Sequence, residues 1–353
     1  MSHTQLDSAS WPTTATIADL DRLRDARLRA VAWLSDHIDD DGTPAGADVG
    51  NAWWRAPWAL AVGGAPDVAA ALLGWAERTA LTDEGDLRGG PFGGDDPGSP
   101  VYFLSPLAIA AWLLARYDTA ALVNSRLDAF RDPDSGGAYQ HRDFAADPQQ
   151  DLLKTGQLGI SALVTGRGDQ ADGVRRWMAR QYEAQTELPR RLYTSWRGAG
   201  PVTDLEDGAE RFMYLVDYQE SRQAYFHSGI AGAFLAGYAR QNADAEALEL
   251  AKAYLSLNTG GTDAQFDDVD SVQICKFGWG AAALHAADPS AGYLSWTVRM
   301  GEWFVRRQRP DGAWAPSTFM AADPGVLDLF WKTAEHLMEL TYIETALRAS
   351  VTA

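Results

Sequence analysis

Cysteine and lysine are both scarce in this chain. Its 353 residues include one cysteine, Cys275, so an intramolecular disulfide and any multi-cysteine zinc or iron–sulfur site are excluded. Only four of its 30 basic residues are lysines, and 48 acidic residues give a net charge of −18. Because a surface of this charge repels polyanions, we expect neither a nucleic-acid partner nor an anionic membrane partner.

Long hydrophobic runs and targeting signals are missing as well. The longest apolar runs, such as residues 105–115, are too short to span a bilayer. The first residues show no basic stretch followed by an apolar core. We therefore expect a cytoplasmic protein with no integral membrane association.

The sequence also lacks the motifs of several large enzyme classes. It contains no phosphate-binding Gly-x-x-x-x-Gly-Lys-Ser/Thr, no dinucleotide fingerprint after a strand, no His-Glu-x-x-His and no Gly-x-Ser-x-Gly elbow. Diphosphate substrates are disfavoured, because lysines are few and the loop arginines cluster only at Arg190, Arg191 and Arg197. We expect an enzyme that needs no cofactor and acts on a small molecule.

Helical periodicity dominates the chain, and alternating strand patterns are hard to find. Short turns alternate with long loops rich in Gly, Asp and Pro, which begin near 39, 81, 131, 186, 259 and 309. This alternation predicts an all-α fold of one domain, an (α/α)6 toroid of about twelve helices with its six long loops on one face. Residues 1–16 are expected to form an extended N-terminal arm. The predicted helices span 17–38, 50–62, 66–80, 102–116, 118–130, 149–165, 169–185, 222–241, 244–258, 270–287, 290–308 and 325–349.

The last repeat carries a recognisable motif. Residues 301–314 read Gly-Glu-Trp-Phe-Val-Arg-Arg-Gln-Arg-Pro-Asp-Gly-Ala-Trp. This segment resembles the glutamine–tryptophan repeat of the squalene–hopene cyclase and terpene cyclase/mutase superfamily. The glycine-rich loops 89–94 and 134–139 resemble those of protein prenyltransferase β-subunits. The resemblance implies the toroid fold, which also houses glycoside hydrolases, sugar epimerases and hydratase-isomerases.

A cluster of aspartates precedes the fifth inner helix and is the first candidate for acid catalysis. Asp267, Asp268 and Asp270 lie next to Phe266 and Val269, and clustered carboxylates beside an apolar wall raise one another's pKa. The segment resembles the Asp-x-Asp-Asp-Thr-Ala motif of class II cyclases, with serine in place of the third aspartate. We expect Asp268 or Asp270 to be the catalytic acid. The alternative is that Asp270 or Ser271 only caps the helix while Asp267 and Asp268 face water.

The same segment can be compared with the Asp-x-Cys zinc site of prenyltransferases. Asp270 and Cys275 are five residues apart rather than two, and His336 is the possible third ligand. A helical spacing of five puts the two side chains on poorly matched faces. We therefore expect no metal and interpret Cys275 as a buried packing thiol.

The remaining candidates would line the central cavity of a toroid. One residue among His227, Tyr225 and His141 is expected to remove a proton from the substrate. Aromatic rings would stabilise a cation or stack on a sugar. The residues expected to bind substrate are Trp53, Trp54, Tyr139, Trp196 and Trp314.

These observations lead to one main functional hypothesis and two alternatives. The main hypothesis is a cofactor-independent lyase or isomerase, similar to terpene cyclases, that protonates an unsaturated or oxygenated apolar molecule. The first alternative is carbohydrate chemistry in the same cavity, by a glycoside hydrolase, an unsaturated-uronide hydrolase or a sugar epimerase. The second is a binding module without a competent acid. The sequence leaves the oligomeric state open.

Overall fold

The computed structural model describes residues 14–91, 94 and 96–351, and within them it shows twelve main helices. Thirteen residues of the predicted N-terminal arm, 1–13, lie outside the described residues, as do residues 92 and 93 of the glycine-rich loop. The outer helices are α1 (Ile17–Ser35), α3 (Pro66–Thr79), α5 (Tyr117–Asp128), α7 (Gly168–Glu183), α10 (Ala245–Thr259) and α13 (Leu294–Arg307). The inner helices are α2 (Ala56–Gly63), α4 (Val101–Leu113), α6 (Leu152–Val164), α9 (Phe226–Asn242), α12 (Cys275–Ala287) and α14 (Val326–Val351).

The six inner helices form a closed ring. Each packs against the next, and α14 packs against α2. Most inner helices are buried on nearly all sides, as in α4, where ten of 13 residues are buried. Five of the six outer helices, α1 among them, lie against two neighbouring inner helices. For α1 these are α14 and α2, the last and the first inner helix of the ring. The prediction of an (α/α)6 toroid is thus confirmed.

Every long connection runs from the end of an outer helix to the start of an inner helix. The six long loops therefore lie on one face of the ring, where the N-termini of the inner helices meet. Several inner helices begin later than the sequence predicted. The helix α2 begins at Ala56 rather than at 50, because Pro57 fits only the first turn of a helix.

Two long loops contain short strands that helical periodicity did not reveal. The strands β1 (Gln150–Asp151), β3 (Ser195–Arg197) and β4 (Gly200–Pro201) form one antiparallel sheet in that β1-β3-β4 order. The strands β2 (Arg191–Tyr193) and β5 (Leu215–Asp217) form a second sheet, with Leu192 opposite Val216. The long loops also hold two short helices, α8 (Ala209–Tyr214) and α11 (Ala264–Asp267). With two or three residues each, the strands order the loops and leave the helical core intact.

A turn that recurs at the ends of four outer helices joins neighbouring hairpins. In each turn a glycine with positive φ donates its N–H to a carbonyl three or four residues earlier. The glycine then lies against the backbone of the next outer helix. A Cβ at Gly42 would lie 2.1 Å from the carbonyl oxygen of Ala71 on α3, so only glycine fits. The four turn glycines are Gly42, Gly85, Gly136 and Gly312.

The last of these turns closes the ring onto the first helix. Gly312 packs on the carbonyl of Arg29 in α1, and a Cβ there would lie 2.6 Å from the oxygen. Gln308 donates from Nε2 to the carbonyl of Ala26 at 2.7 Å and to that of Gly312 at 2.9 Å. The glutamine of the cyclase-like motif therefore fastens the sixth hairpin to the first.

Among the described residues, no helix combines the length and the apolar character needed to cross a bilayer.

Candidate active site

A central cavity of about 270 Å³ opens among the N-termini of the inner helices. All six inner helices, or the residues just before them, contribute to its wall. Its aromatic side chains are Trp54, Tyr102, Phe103, Phe212, Phe226 and Trp331. Its polar side chains are Gln273, Cys275, Lys276, Ser317, Lys332 and Glu335. The cavity is thus mainly apolar, with its charged groups on α12 and α14.

The charged groups form a buried network centred on Glu335. The Oε1 atom of Glu335 accepts hydrogen bonds from Arg55 Nη1 at 2.6 Å and from Lys276 Nζ. Its Oε2 atom accepts one from Lys332 Nζ. Glu339, one turn further along α14, lies with its Oε1 atom 3.7 Å from Lys276 Nζ. We call these five residues the buried charge cluster.

The two carboxyl groups of the buried charge cluster differ in their pKa values. Burial alone would raise the pKa of Glu335, but attraction to Lys276, Lys332 and Arg55 outweighs burial and holds it well below the usual range. For Glu339, burial dominates and raises the pKa to about 7. At neutral pH Glu335 is therefore ionised, whereas Glu339 is partly protonated. Such a split between neighbouring groups is typical of acid–base sites.

Three potential ligand atoms meet behind the cavity wall. The Sγ atom of Cys275, a ring nitrogen of His336 and a carboxylate oxygen of Glu339 all lie within 4.8 Å of one another. Asp270 of the sequence pattern is not among them, because it pairs with Arg222 at 3.2 Å.

The three donors are of the types that zinc prefers. The Lys276 ammonium, 3.7 Å from the Glu339 oxygen, would nevertheless repel a divalent cation there. Burial also raises the pKa of the Cys275 thiol, so this side chain is protonated at pH 7 and not the thiolate that binds zinc. We therefore interpret Glu339 as an acid–base group and none of the three as a metal ligand.

Asp268 and Asp270 lie outside the cavity, on the loop before α12. Arg222 binds Asp268 at 2.9 Å and Asp270 at 3.2 Å. The hydrogen bond from Arg222 lowers the pKa of Asp268 rather than raising it. Val269, expected in an apolar wall, is 82% exposed. The environment that would make these aspartates proton donors is absent, because a solvent-exposed arginine neutralises them.

The three residues expected to accept a proton are dispersed. His227 is buried in α9, where burial lowers its pKa to about 3. Tyr225 is buried, and its hydroxyl donates to the carbonyl of Glu220. His141 lies in the third long loop, 3.7 Å from Asp147. None of them is among the residues that line the central cavity.

Of the five aromatic residues expected to bind substrate, Trp54 lines the cavity. Trp53 packs edge-on against Trp75 between the two rings of helices, with centroids 5.4 Å apart. Trp314 is fully buried and donates from Nε1 to the carbonyl of Phe304 at 2.9 Å, so it holds the sixth loop to α13.

The other two aromatics of that set lie in the long loops. Tyr139 stacks on Phe144 at 4.4 Å. Trp196 donates from Nε1 to the carbonyl of Gly198 at 2.9 Å, within the small three-stranded sheet. These rings order the loop face of the toroid rather than the cavity wall.

Cationic side chains of the protein itself already lie over the aromatic rings of the cavity. The Arg55 guanidinium lies 4.4 Å from the centroid of Trp54. Lys276 lies 5.5 Å from the centroid of Phe226, and Lys332 lies 4.1 Å from that of Trp331. These fixed positive charges oppose a carbocation in the cavity and favour negative charge there. This corrects the expectation that the rings serve to stabilise a substrate cation.

Sequence reasoning missed the buried charge cluster, although two signals pointed to it. Lysine is rare in this chain, yet Lys276 and Lys332 both fall in apolar inner helices. The spacing of Lys332, Glu335 and Glu339 by three and four residues places all three on one face of α14.

Comparison with known proteins bears on the fold. No known family profile matches the sequence, and no curated protein is significantly similar to it. Solved structures do match. A D-mannose isomerase superposes with a TM-score of 0.65 at 12% identity, covering 96% of this chain and 100% of that one.

Two further matches have other activities. An unsaturated glucuronyl hydrolase from Streptococcus agalactiae gives a TM-score of 0.60 at 10% identity, with coverage of 96% and 95%. A type II terpene cyclase from Scytonema, in complex with its substrate geranylgeranyl dihydroxybenzoate, gives 0.53 at 15% identity, with coverage of 96% and 100%. The chain therefore has the (α/α)6 toroid fold that this cyclase, this hydrolase and this isomerase share.

Proposed function

We propose that this protein is a cofactor-independent lyase or isomerase that acts on an apolar, unsaturated or oxygenated small molecule in the central cavity. One observation carries the proposal. Glu339, with a pKa of about 7, lies directly behind Cys275 and Lys276, which both line the cavity. A group with this pKa gives and takes a proton with equal ease at neutral pH.

The cavity wall supplies a role for each group. Ionised Glu339 takes a proton, through the thiol of Cys275, from a substrate carbon next to an oxygen function. The negative charge that develops on that oxygen is stabilised by the ammonium groups of Lys276 and Lys332, both on the wall. Return of the proton to a different carbon completes an isomerisation, and departure of a neighbouring hydroxyl as water, with that same proton, completes a lyase reaction.

The lining favours an apolar substrate over a sugar. A sugar needs several free hydrogen-bonding groups for its hydroxyls. Three of the six polar side chains on the wall, Lys276, Lys332 and Glu335, already bind one another. Apolar and aromatic side chains make up most of the remaining surface. This composition supports the lyase or isomerase rather than carbohydrate chemistry.

Proton exchange with solvent tests the proposal directly. The protein is incubated in D2O with a panel of unsaturated or oxygenated compounds of eight to twelve carbons, and with a panel of monosaccharides and unsaturated uronides. Mass spectrometry then reads deuterium incorporated at carbon and any new product. We expect deuterium in a member of the apolar panel. Turnover confined to the sugars would contradict the proposal and support the carbohydrate alternative.

Two matched variants identify the acid. Glu339→Gln keeps the size of the side chain and removes its transferable proton, so exchange should fall by about 10²–10⁴-fold. Asp268→Asn makes the same chemical change outside the cavity and should leave exchange close to wild type. A large loss of exchange in Asp268→Asn, with little change in Glu339→Gln, would instead place the catalytic acid in the aspartate cluster.

A further inference from the structure

The distribution of lysine in this chain is uneven. The chain has four lysines, and two of them, Lys276 and Lys332, line the central cavity. They are only 3% and 5% exposed. Burial of an ammonium group is costly unless it is paired, so two such groups side by side in an acidic, lysine-poor protein indicate that an anion belongs there.

The resident carboxylates do not fully balance these cations. Arg55, Lys276 and Lys332 surround Glu335, the one carboxylate that accepts hydrogen bonds from all three. The second carboxylate, Glu339, has no hydrogen-bond partner for either oxygen among the described residues. Even with both carboxylates ionised, the buried charge cluster keeps one net positive charge.

The two lysines retain donors that a ligand can use. Each ammonium group has three N–H bonds. Within the described residues, Glu335 is the only hydrogen-bond acceptor of Lys276 and of Lys332. Both side chains reach the cavity surface. The indole Nε1 of Trp54, also on the wall, is a buried donor without a partner in the same part of the chain.

We propose that the cavity binds small apolar carboxylic acids in their ionised form, with the carboxylate between Lys276 and Lys332 and the apolar part against the aromatic wall. This inference rests on the proposed function and names its substrate class. With Glu339 ionised, as the proposed reaction requires, a single negative charge balances the buried charge cluster, whereas a phosphate dianion would overshoot it. An alcohol or an ester would leave the positive charge uncompensated.

The volume of the cavity limits the length of the acid. At about 30 Å³ for the space of one water molecule, 270 Å³ holds about nine molecules of that size. A substrate of about ten non-hydrogen atoms therefore matches the cavity, whereas a twenty-carbon polyene would extend beyond it. Octanoate, with ten such atoms, is a suitable probe.

Equilibrium binding tests the proposal without turnover. Trp54 and Trp331 line the cavity, so their fluorescence reports occupancy. The ligands are octanoate, octan-1-ol, octyl phosphate and hexadecanoate. We expect octanoate to bind at least about tenfold more tightly than each of the other three. Octan-1-ol makes only neutral hydrogen bonds, which are weaker than charge-assisted ones. Octyl phosphate carries one negative charge too many, and hexadecanoate is too long for the cavity.

The matched variants are Lys332→Met and Lys252→Met. Lys332→Met leaves Glu335 with Arg55 and Lys276 as partners, so the fold is expected to survive, and its melting temperature checks this. Octanoate should bind about ten- to a hundredfold more weakly to it, with octan-1-ol unchanged. Lys252→Met removes the same charge from the surface of α10 and should change neither affinity. Lys332→Arg keeps the charge and should retain the preference for octanoate.

Several outcomes would overturn the inference. These are failure of octanoate to bind, equal affinity for octanoate and octan-1-ol, tighter binding of octyl phosphate, and an unchanged octanoate affinity in Lys332→Met. The inference and the proposed function can fail separately. Selective octanoate binding without deuterium exchange in any compound refutes only the proposed function. Exchange in alcohols or ketones without selectivity for carboxylates refutes only the inference.

Discussion

Lys276 and Glu335 form an ion pair across the seam between α12 and α14, at the floor of the central cavity. Both side chains are 3% exposed. The pair joins two neighbouring inner helices, and Arg55 adds a third element by binding the same oxygen of Glu335 at 2.6 Å. The charge network is therefore part of the structure of the ring as well as of the candidate active site.

Glu335→Gln should destabilise the protein strongly. The substitution leaves three buried cations around a neutral amide, and loss of one partner from a buried ion pair typically costs about 3–5 kcal/mol. We expect a change of this size in the free energy of unfolding, measured by urea denaturation. The control is Glu249→Gln, which breaks a surface pair with Lys252 at 2.9 Å and should cost less than about 1 kcal/mol. Equal effects in the two variants would show that the buried cations find other partners.

The titration of Glu339 should make stability depend on pH. Its pKa is raised from an ordinary value of 4.5 to about 7, so between these values the folded protein holds a proton that the unfolded chain releases. The contribution of the Glu339 carboxyl to the stability of the fold is fully present below about pH 4.5 and is lost as the pH rises to about 7. Its surroundings are Cys275 and Lys276 on α12, Arg55 before α2, and Lys332, Glu335 and His336 on its own helix.

Glu339→Gln is the variant that checks this pH dependence. The amide stays neutral, so the melting temperature of the variant relative to wild type should rise between pH 4.5 and 7 and then level off. Glu302→Gln, at an exposed position of α13, removes a carboxyl without this burial and serves as the control. A constant difference across the pH range for Glu339→Gln would show that the group is ionised throughout.

Asp268→Asn should leave both activity and stability nearly intact. Asp268 accepts a hydrogen bond from Arg222 at 2.9 Å and another from the backbone N–H of Asp270 at 2.9 Å. Arg222 is about half exposed, so the loss should be at most about 1 kcal/mol. Turnover and thermal unfolding of the variant measure the two effects. A large loss of turnover with normal stability would place the acid on this loop after all.

Zinc should be absent in stoichiometric amount from the purified protein. The Lys276 ammonium beside Glu339 opposes a divalent cation among Cys275, His336 and Glu339. Elemental analysis after expression in zinc-supplemented medium measures the content, and a chelator should leave activity unchanged. One zinc per chain, lost in Cys275→Ser, would reassign these three residues as metal ligands.

Gly42→Ala should destabilise the ring more than a matched glycine change elsewhere. Gly42 has φ +89°, and its Cβ would lie 2.1 Å from the Ala71 carbonyl oxygen. Gly166 has φ +74° with no atom within 4 Å of its Cβ position, so Gly166→Ala introduces the backbone strain alone. We expect about 1 kcal/mol for Gly166→Ala and about 1–3 kcal/mol more for Gly42→Ala, measured by chemical denaturation. Equal losses of stability in the two variants would mean that α3 moves away from the new Cβ at no energetic cost.

The fold was predictable because its signals are local. Alternating short and long connections indicated the helical hairpins, and glycines such as Gly42 and Gly312 marked the repeated turn. The short strands at Leu192 and Val216 were not predictable, since each has only two or three residues and forms by pairing across a long loop.

The site was less predictable because it depends on contacts between distant segments. The aspartate cluster looked reactive on its own, but Arg222, 46 residues before Asp268 in the sequence, neutralises it. Lys276 and Glu335 are 59 residues apart in the chain, and the local pair of Lys332 with Glu335 does not show that Lys276 joins it. Trp54 lies on the cavity wall, whereas its neighbour Trp53 packs against Trp75 between the two rings, and the sequence does not distinguish these two orientations.

The packing of Gly312 against α1 has a consequence for how the protein unfolds. In an open array of repeats, the end units can fray while the middle stays folded. Here the sixth hairpin rests on the first, so neither of these two hairpins is a free end unit, and loss of any hairpin exposes two neighbours at once. Unfolding should therefore occur in a single cooperative transition. During synthesis, likewise, the surface of α1 that contacts Gln308 and Gly312 stays exposed until the segment that contains these two residues has been made.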